Sequence, residues 1–163
     1  LDLVSAEWLR LLVATLAAHR LPFYAALSYD GRAGCLPRHP DDERVVSAFN
    51  AHQKTDKGFG PALGPDAANM AINLFEKAGF RVVYGLSDWQ AGPDDSAFQR
   101  MLFDGWRQAA RHMRPDCQTE FDNWFDARQA FINARDKRAC AFVGHIDFLA
   151  LPLHSGEKSA DLK

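Results

Sequence analysis

The sequence predicts an α/β fold in which a three-stranded sheet is flanked by helices. The runs Phe23–Tyr29, Arg81–Leu86 and Ala139–Leu151 are short and mostly apolar, as strands covered on both faces are. Stretches with apolar residues at helical spacing separate them. One of these, of crossover length, joins the first two strands. That βαβ order predicts a parallel pair with a right-handed crossover.

The elements follow in order along the chain. Ser5 caps a first helix, Glu7 favours its positive end, and Trp8, Leu9, Leu12, Val13 and Leu16 form one apolar face up to about His19. Leu21-Pro22 ends it, because a residue before proline avoids the helical region. Phe23–Tyr29 is the first strand, and Asp30-Gly31 is expected to stop it. A loop with Gly34, Pro37 and Pro40 leads to a short helix carrying Val45, Val46 and Phe49, capped by Asp41 or Asp42. After a polar stretch, Pro65 opens a helix in which Ala67, Met70, Ala71, Leu74 and Phe75 line one face. Gly79 ends that helix with Phe80 in contact, and Arg81–Leu86 is the second strand. Pro93 to Ser96 start a long helix with Phe98, Met101, Leu102, Trp106, Ala109 and Met113 on its buried face. Arg114-Pro115-Asp116 breaks it, a further helix carries Phe121, Trp124, Phe125 and Ile132, and Ala139–Leu151 is the last strand.

Composition narrows the function classes. At 163 residues the chain fits one domain, 1–153, followed by a polar, frayed tail, 154–163. Nineteen basic residues against 21 acidic ones leave no footprint for non-specific nucleic-acid binding. No apolar run approaches the roughly 20 residues needed to cross a bilayer. Three distant cysteines, Cys35, Cys117 and Cys140, have neither zinc spacing nor a disulfide framework and suit a reducing, cytoplasmic setting. Leu1 is not a methionine and no basic-then-apolar leader follows it, so the chain reads as the remainder of a longer one.

The most informative segment runs from His52 to Gly64, where His52, Gln53, Lys54, Thr55, Asp56 and Lys57 adjoin Gly58, Phe59, Gly60 and Gly64. No helix or strand period accounts for the mixture. Glycine and proline there fix a shape that an idle loop does not need. His52, Asp56 and Lys57 can exchange or bind protons, and Phe59 offers an apolar wall. Gly58-Phe59-Gly60 with Gly64 imitates a dinucleotide fingerprint, but the spacing is wrong and a tight turn accounts for it. His145 and Asp147 alternate on the last strand and, with His154, suggest an iron site; a packed histidine is the simpler reading, and no metal is expected. Cys35, beside Arg38 and His39, is a candidate for a lowered thiol pKa.

The segments LDLVSAEWL, YAALSYDGR, AFNAHQKTDKGFGPALGPDAA, SDWQAGPDD and VGHIDFLAL together resemble the carboxyl half of a bacterial class I S-adenosylmethionine-dependent methyltransferase. The resemblance runs from Leu1 to about Leu151. It implies a partial Rossmann-like methyltransferase sheet. The full sheet of such enzymes is ordered 3-2-1-4-5-7-6 with its last strand antiparallel, and here strands five, six and seven are Phe23–Tyr29, Arg81–Leu86 and Ala139–Leu151. The glycine-rich cofactor loop and the ribose-holding acid belong to strands this chain lacks. What remains would be the wall facing a small-molecule acceptor and the rim of the cofactor cleft. Asp2 and Ser5 would lie near the methionine end of S-adenosylmethionine. Tyr29, His52, Gln53, Asp56, Lys57 and Phe59 would line the acceptor side, with His52 as base, Asp56 orienting it and Lys57 anchoring substrate. Without strand four the edge of Phe23–Tyr29 is bare, so the chain is expected to dimerise through it, to rearrange there or to aggregate. The rival reading is a non-catalytic binding or assembly module that kept the half-sheet; a third is an iron-dependent oxygenase using His145 and Asp147.

Overall fold

The computed structural model describes residues 1–153; the expected polar tail, His154 included, lies outside the described residues. Its helices are α1 (Ala6–Ala18), α2 (Asp42–Gln53), α3 (Ala67–Lys77), α4 (Ser96–Met113) and α5 (Gln118–Asn133). Its strands are β1 (Phe23–Leu36), β2 (Phe80–Leu86), β3 (Trp89–Ala91) and β4 (Cys140–Pro152). The fold is α/β, with an open four-stranded antiparallel sheet ordered β1-β4-β2 and β3 also paired to β4. Two compact units are present. The first joins Leu1–Asp30, Asp56–Ser87 and the chain from His145 onward; the second joins Gly31–Thr55 and Asp88–Gly144.

In the first unit α1 begins as expected. Ser5 is extended, and its side chain accepts the backbone N–H of Trp8 at 3.2 Å, satisfying one of the helix's orphan donors. Leu9 and Val13 of α1, Ala71, Ile72 and Phe75 of α3, Ala25 of β1, Phe80 of β2 and Phe148 and Ala150 of β4 form one buried cluster. Phe80 and Val82 of β2 and Ile146, Phe148 and Ala150 of β4 alternate toward this cluster, the period of two of a one-sided antiparallel sheet.

The expected parallel neighbouring of the first two strands is corrected: β4 lies between β1 and β2. β2 and β4 are antiparallel, in register from Phe80 opposite Pro152 to Leu86 opposite Ile146. Burial explains the choice. β4 is buried or half-buried along nearly its whole length and suits a central position, whereas β2 is exposed at Arg81 and from Val83 to Leu86 and tolerates an edge. β1 also departs from expectation. It does not stop at Asp30-Gly31 but runs on to Leu36, because Gly31 (φ 91) takes a left-handed conformation within the strand.

Inside the first unit β1 is interrupted at Leu27 (φ 54), whose N–H donates to Asp147 Oδ1 at 2.7 Å. Ser87 Oγ donates to the same oxygen at 2.5 Å, and Tyr24 donates its hydroxyl to Oδ2 at 2.9 Å. The Ser87 hydroxyl first, then the Leu27 amide and Tyr24, hold the Asp147 carboxyl below its ordinary value. A depressed folded pKa contributes stability that is present above the unfolded value near 3.9 and is lost as pH falls through the folded one. The stability difference between the natural chain and Asp147→Asn, read from urea midpoints, is therefore expected to be constant above about pH 5 and to shrink below about pH 4. A difference independent of pH down to 2.5 would contradict this.

The second unit is built on helices. α2 packs on α4, and α4 on α5. Their contact holds Phe103, Trp106, Phe121 and Trp124, all almost wholly buried, with Phe103 meeting Trp106 and Trp124 edge to face at 5.7 and 5.6 Å. Buried Gln99 donates through Nε2 to the Gly92 carbonyl at 2.5 Å and lies 3.3 Å from those of Ala91 and Ala139, tying the start of α4 to the strand segments of this unit. β3 pairs antiparallel with β4, Trp89 opposite Val143 and Ala91 opposite Ala141.

Candidate functional site

The polar stretch divides between the two units. Its glycine-rich part, from Asp56, is a loop of the first unit pinned to the amino-terminal segment. Asp56 Oδ1 accepts the N–H groups of Gly58 and Gly60 at 2.7 and 3.1 Å. Gly58 (φ 97) and Gly60 (φ 81) are left-handed, which glycine adopts without the steric cost other residues meet. Gly60 also comes so near Ser5 that a Cβ there would sit 3.5 Å from the serine Cβ. The N–H groups of Leu63 and Gly64 donate to the carbonyls of Val4 and Asp2 at 2.8 and 2.9 Å, and Ser5 and Ala62 form an antiparallel bridge.

Folding thus gathers Asp2, Ser5, Asp56 and Phe59 around one loop, with Lys57 in it. Trp8 meets Phe59 edge to face at 6.0 Å, and both rings are exposed, so they form an aromatic rim. Tyr29 is buried in the same unit. Burial, reinforced by the charges of Asp30 and Asp2, pushes its phenol above the ordinary value, so it stays protonated. Ser5 uses its hydroxyl as the cap of α1.

His52 and Gln53 belong to the second unit, in the last turn of α2. The His52 ring meets that of His112 on α4 edge to face, 5.3 Å between centroids. Both line a groove of about 520 Å³ that also takes in Phe49, Trp89, Phe98 and Trp106. Asp56, expected to orient His52, uses Oδ1 to shape its own loop.

The cysteine expectation is corrected. Burial pushes the Cys35 thiol up to about 12; Arg128 opposes the shift, and Asp42, which accepts its S–H at 3.3 Å, adds to it. The shift is the opposite of the lowered value expected and disfavours the thiolate that a nucleophile needs. Among the described residues no three His, Cys, Asp or Glu side chains are placed to hold a metal ion. Asp147 is engaged by Tyr24, Leu27 and Ser87, the ring of His145 packs 6.3 Å from that of Tyr29, and His154 lies outside the described residues.

Sequence reasoning missed Trp8, His112, Trp89 and Gly105. The apolar periodicity puts Trp8 on the buried face of α1 beside Leu9, yet adjacent helical residues diverge by about 100° and of the two only Leu9 is fully buried. That divergence is the signal that would have freed Trp8 for the rim. His112 and Gly105 carry no local signal, being defined by what α2 brings to α4.

Compared with family models, with curated proteins and with solved structures, the chain finds no match.

Proposed function

We propose that this chain supplies the acceptor-side wall and the cleft rim of an S-adenosylmethionine-dependent methyltransferase acting on a small molecule. The strand order carries this reading: β4, last in the chain, stands between β1 and β2 and antiparallel to β2, the 5-7-6 arrangement that ends the sheet of such enzymes. The fit to the cofactor is confined to its methionine end. Asp2, a half-buried carboxylate, matches an amino group there, whereas residues 1–163 contain no glycine-rich turn for the nucleoside.

When bound, the cofactor supplies a sulfonium methyl group as electrophile. The residues of this chain position the acceptor and exclude water from it, the larger contributions in such a displacement. In the second unit His52 accepts the proton that the acceptor's nucleophilic atom loses, and Gln53 beside it holds the acceptor's polar groups. In the first unit Phe59 with Trp8 forms an apolar edge beside Lys57.

The test uses labelled S-adenosylmethionine with this chain and with a version extended upstream in its reading frame. Cofactor binding and methyl transfer are expected in the extended form, and His52→Ala is expected to lower turnover about a hundredfold. Unchanged turnover would remove the base role of His52; no cofactor binding by either form would end the reading.

One observation favours the rival, a non-catalytic assembly module. Val83, Tyr84 and Leu86 on β2 are 58, 64 and 68% exposed, and Tyr24 and Leu27 on the outer strand β1 are exposed as well. Pairing of two copies along Phe23–Tyr29 would cover part of this surface. A dimer by light scattering, from an extended chain that binds no cofactor, would favour that module.

A further inference from the structure

The groove of the second unit runs along one face of α4. Phe98, Trp106 and His112 lie on it, fourteen residues or about 21 Å from first to last. Trp89 and Phe98, edge to face at 5.6 Å, stand at one end, and Trp106, almost wholly buried, forms the floor. His52 and His112 mark the other end. None of the lining residues is Asp, Glu, Lys or Arg, so no permanent charge there balances an ionised ligand.

From this juxtaposition we infer that the groove binds an uncharged, elongated aromatic compound carrying a hydroxyl, with its rings against Trp89, Phe98 and Trp106 and its hydroxyl at the histidine pair. Aromatic walls reward ring stacking beyond the area they bury. Imidazole nitrogens offer both a donor and an acceptor to a hydroxyl. In naming the methyl acceptor the inference rests on the reading above; the binding itself does not.

Gly105 supplies the test. It lines the groove in the middle of α4, and a Cβ there meets no atom within 4 Å. Gly105→Leu therefore starts from open space on the groove side and replaces a poor helix former by a good one. Calorimetric titration of this chain with biphenyl-4-ol is expected to show saturable one-site binding. Biphenyl-4-carboxylate, ionised at pH 7.5, is expected to bind at least tenfold more weakly, His112→Ala to weaken the phenol about tenfold, and Gly105→Leu to abolish binding while its urea midpoint is kept or raised. Absence of saturable binding, equal affinity for the carboxylate, or unchanged binding by Gly105→Leu overturns the inference. If methyl transfer to some other acceptor then persists in the extended chain, the methyltransferase reading survives alone. Binding of biphenyl-4-ol by a chain that transfers no methyl group upholds the groove and sinks that reading.

Discussion

Replacing Arg128 by alanine is expected to lower the stability of the helical unit by about 3–5 kcal/mol. Arg128 is 1% exposed, and its Nη2 lies 3.2 Å from Asp42 Oδ1 at the start of α2. Nη1 donates to the carbonyl of Pro37, and the guanidinium lies over the rings of Trp124 and Phe131 at 5.7 and 5.6 Å. Asp42 is a hub in return, accepting the indole N–H of Trp124 at 2.8 Å and the N–H of His39 at 2.7 Å. Alanine removes the countercharge, the carbonyl's donor and the packed stem together. A buried pair broken on one side leaves the other charge uncompensated, which costs more than the intact pair contributes. The double variant Arg128→Met with Asp42→Asn keeps the stem and an acceptor for Trp124 and removes both charges, so it is expected to recover most of the loss. Urea unfolding followed by tryptophan fluorescence reads both. A loss below about 1 kcal/mol for Arg128→Ala would show that the pair is incidental to the unit.

Periodicity made most of the helices legible. Ala67, Met70, Ala71, Leu74 and Phe75 mark α3, and Ala71 and Phe75 are indeed fully buried against the sheet. Arg128 was not legible, since a charged residue within a helical pattern reads as solvated face. Only α2, supplying Asp42 from 86 positions away in the chain, makes its burial tolerable. Spacing found the strands but not their partners, whose order β1-β4-β2 follows the 5-7-6 that the resemblance implied. Spacing along the chain suggested that β1 and β2 pair, whereas the most deeply buried strand, made last, takes the place between them. β3 has three residues, too few to show an alternation.

The candidate site was legible where chemistry is local. Asp56, Gly58 and Gly60 announced a shaped loop, and that shape is held by two amides on one carboxylate oxygen. Helix periodicity places Phe98 and Trp106 in the core and gives no signal for His112. A groove is a property of facing surfaces, so its lining is distributed over α2, β3 and α4 and has no motif.

In the first unit the largest effect is expected from Phe75→Ala, at about 3–5 kcal/mol. Phe75 is 0% exposed and stands among three other rings: Phe23 stacked at 5.3 Å, Phe80 edge to face at 5.1 Å and Phe148 at 6.1 Å. Those rings belong to β1, β2 and β4, so the ladder of the sheet keeps them from closing the void, and a void that cannot collapse costs more than the transfer of the lost atoms. Phe75→Leu leaves a smaller void and is expected to cost less than half as much, while Ala in place of exposed Lys77 stays within about 0.5 kcal/mol. The effect reaches the loop through α3. The 3-10 turn Gly64–Asp66 leads directly into that helix, and Leu63 and Gly64 carry the amides that bind the loop to Val4 and Asp2. Hydrogen exchange at Leu63 and Gly64 is therefore expected to quicken in Phe75→Ala in proportion to the stability lost, because their protection is set by the opening of the helix that positions them. Unchanged exchange at these two amides, with the stability loss present, would mean that the loop is held by its own bonds and not by the core beneath it.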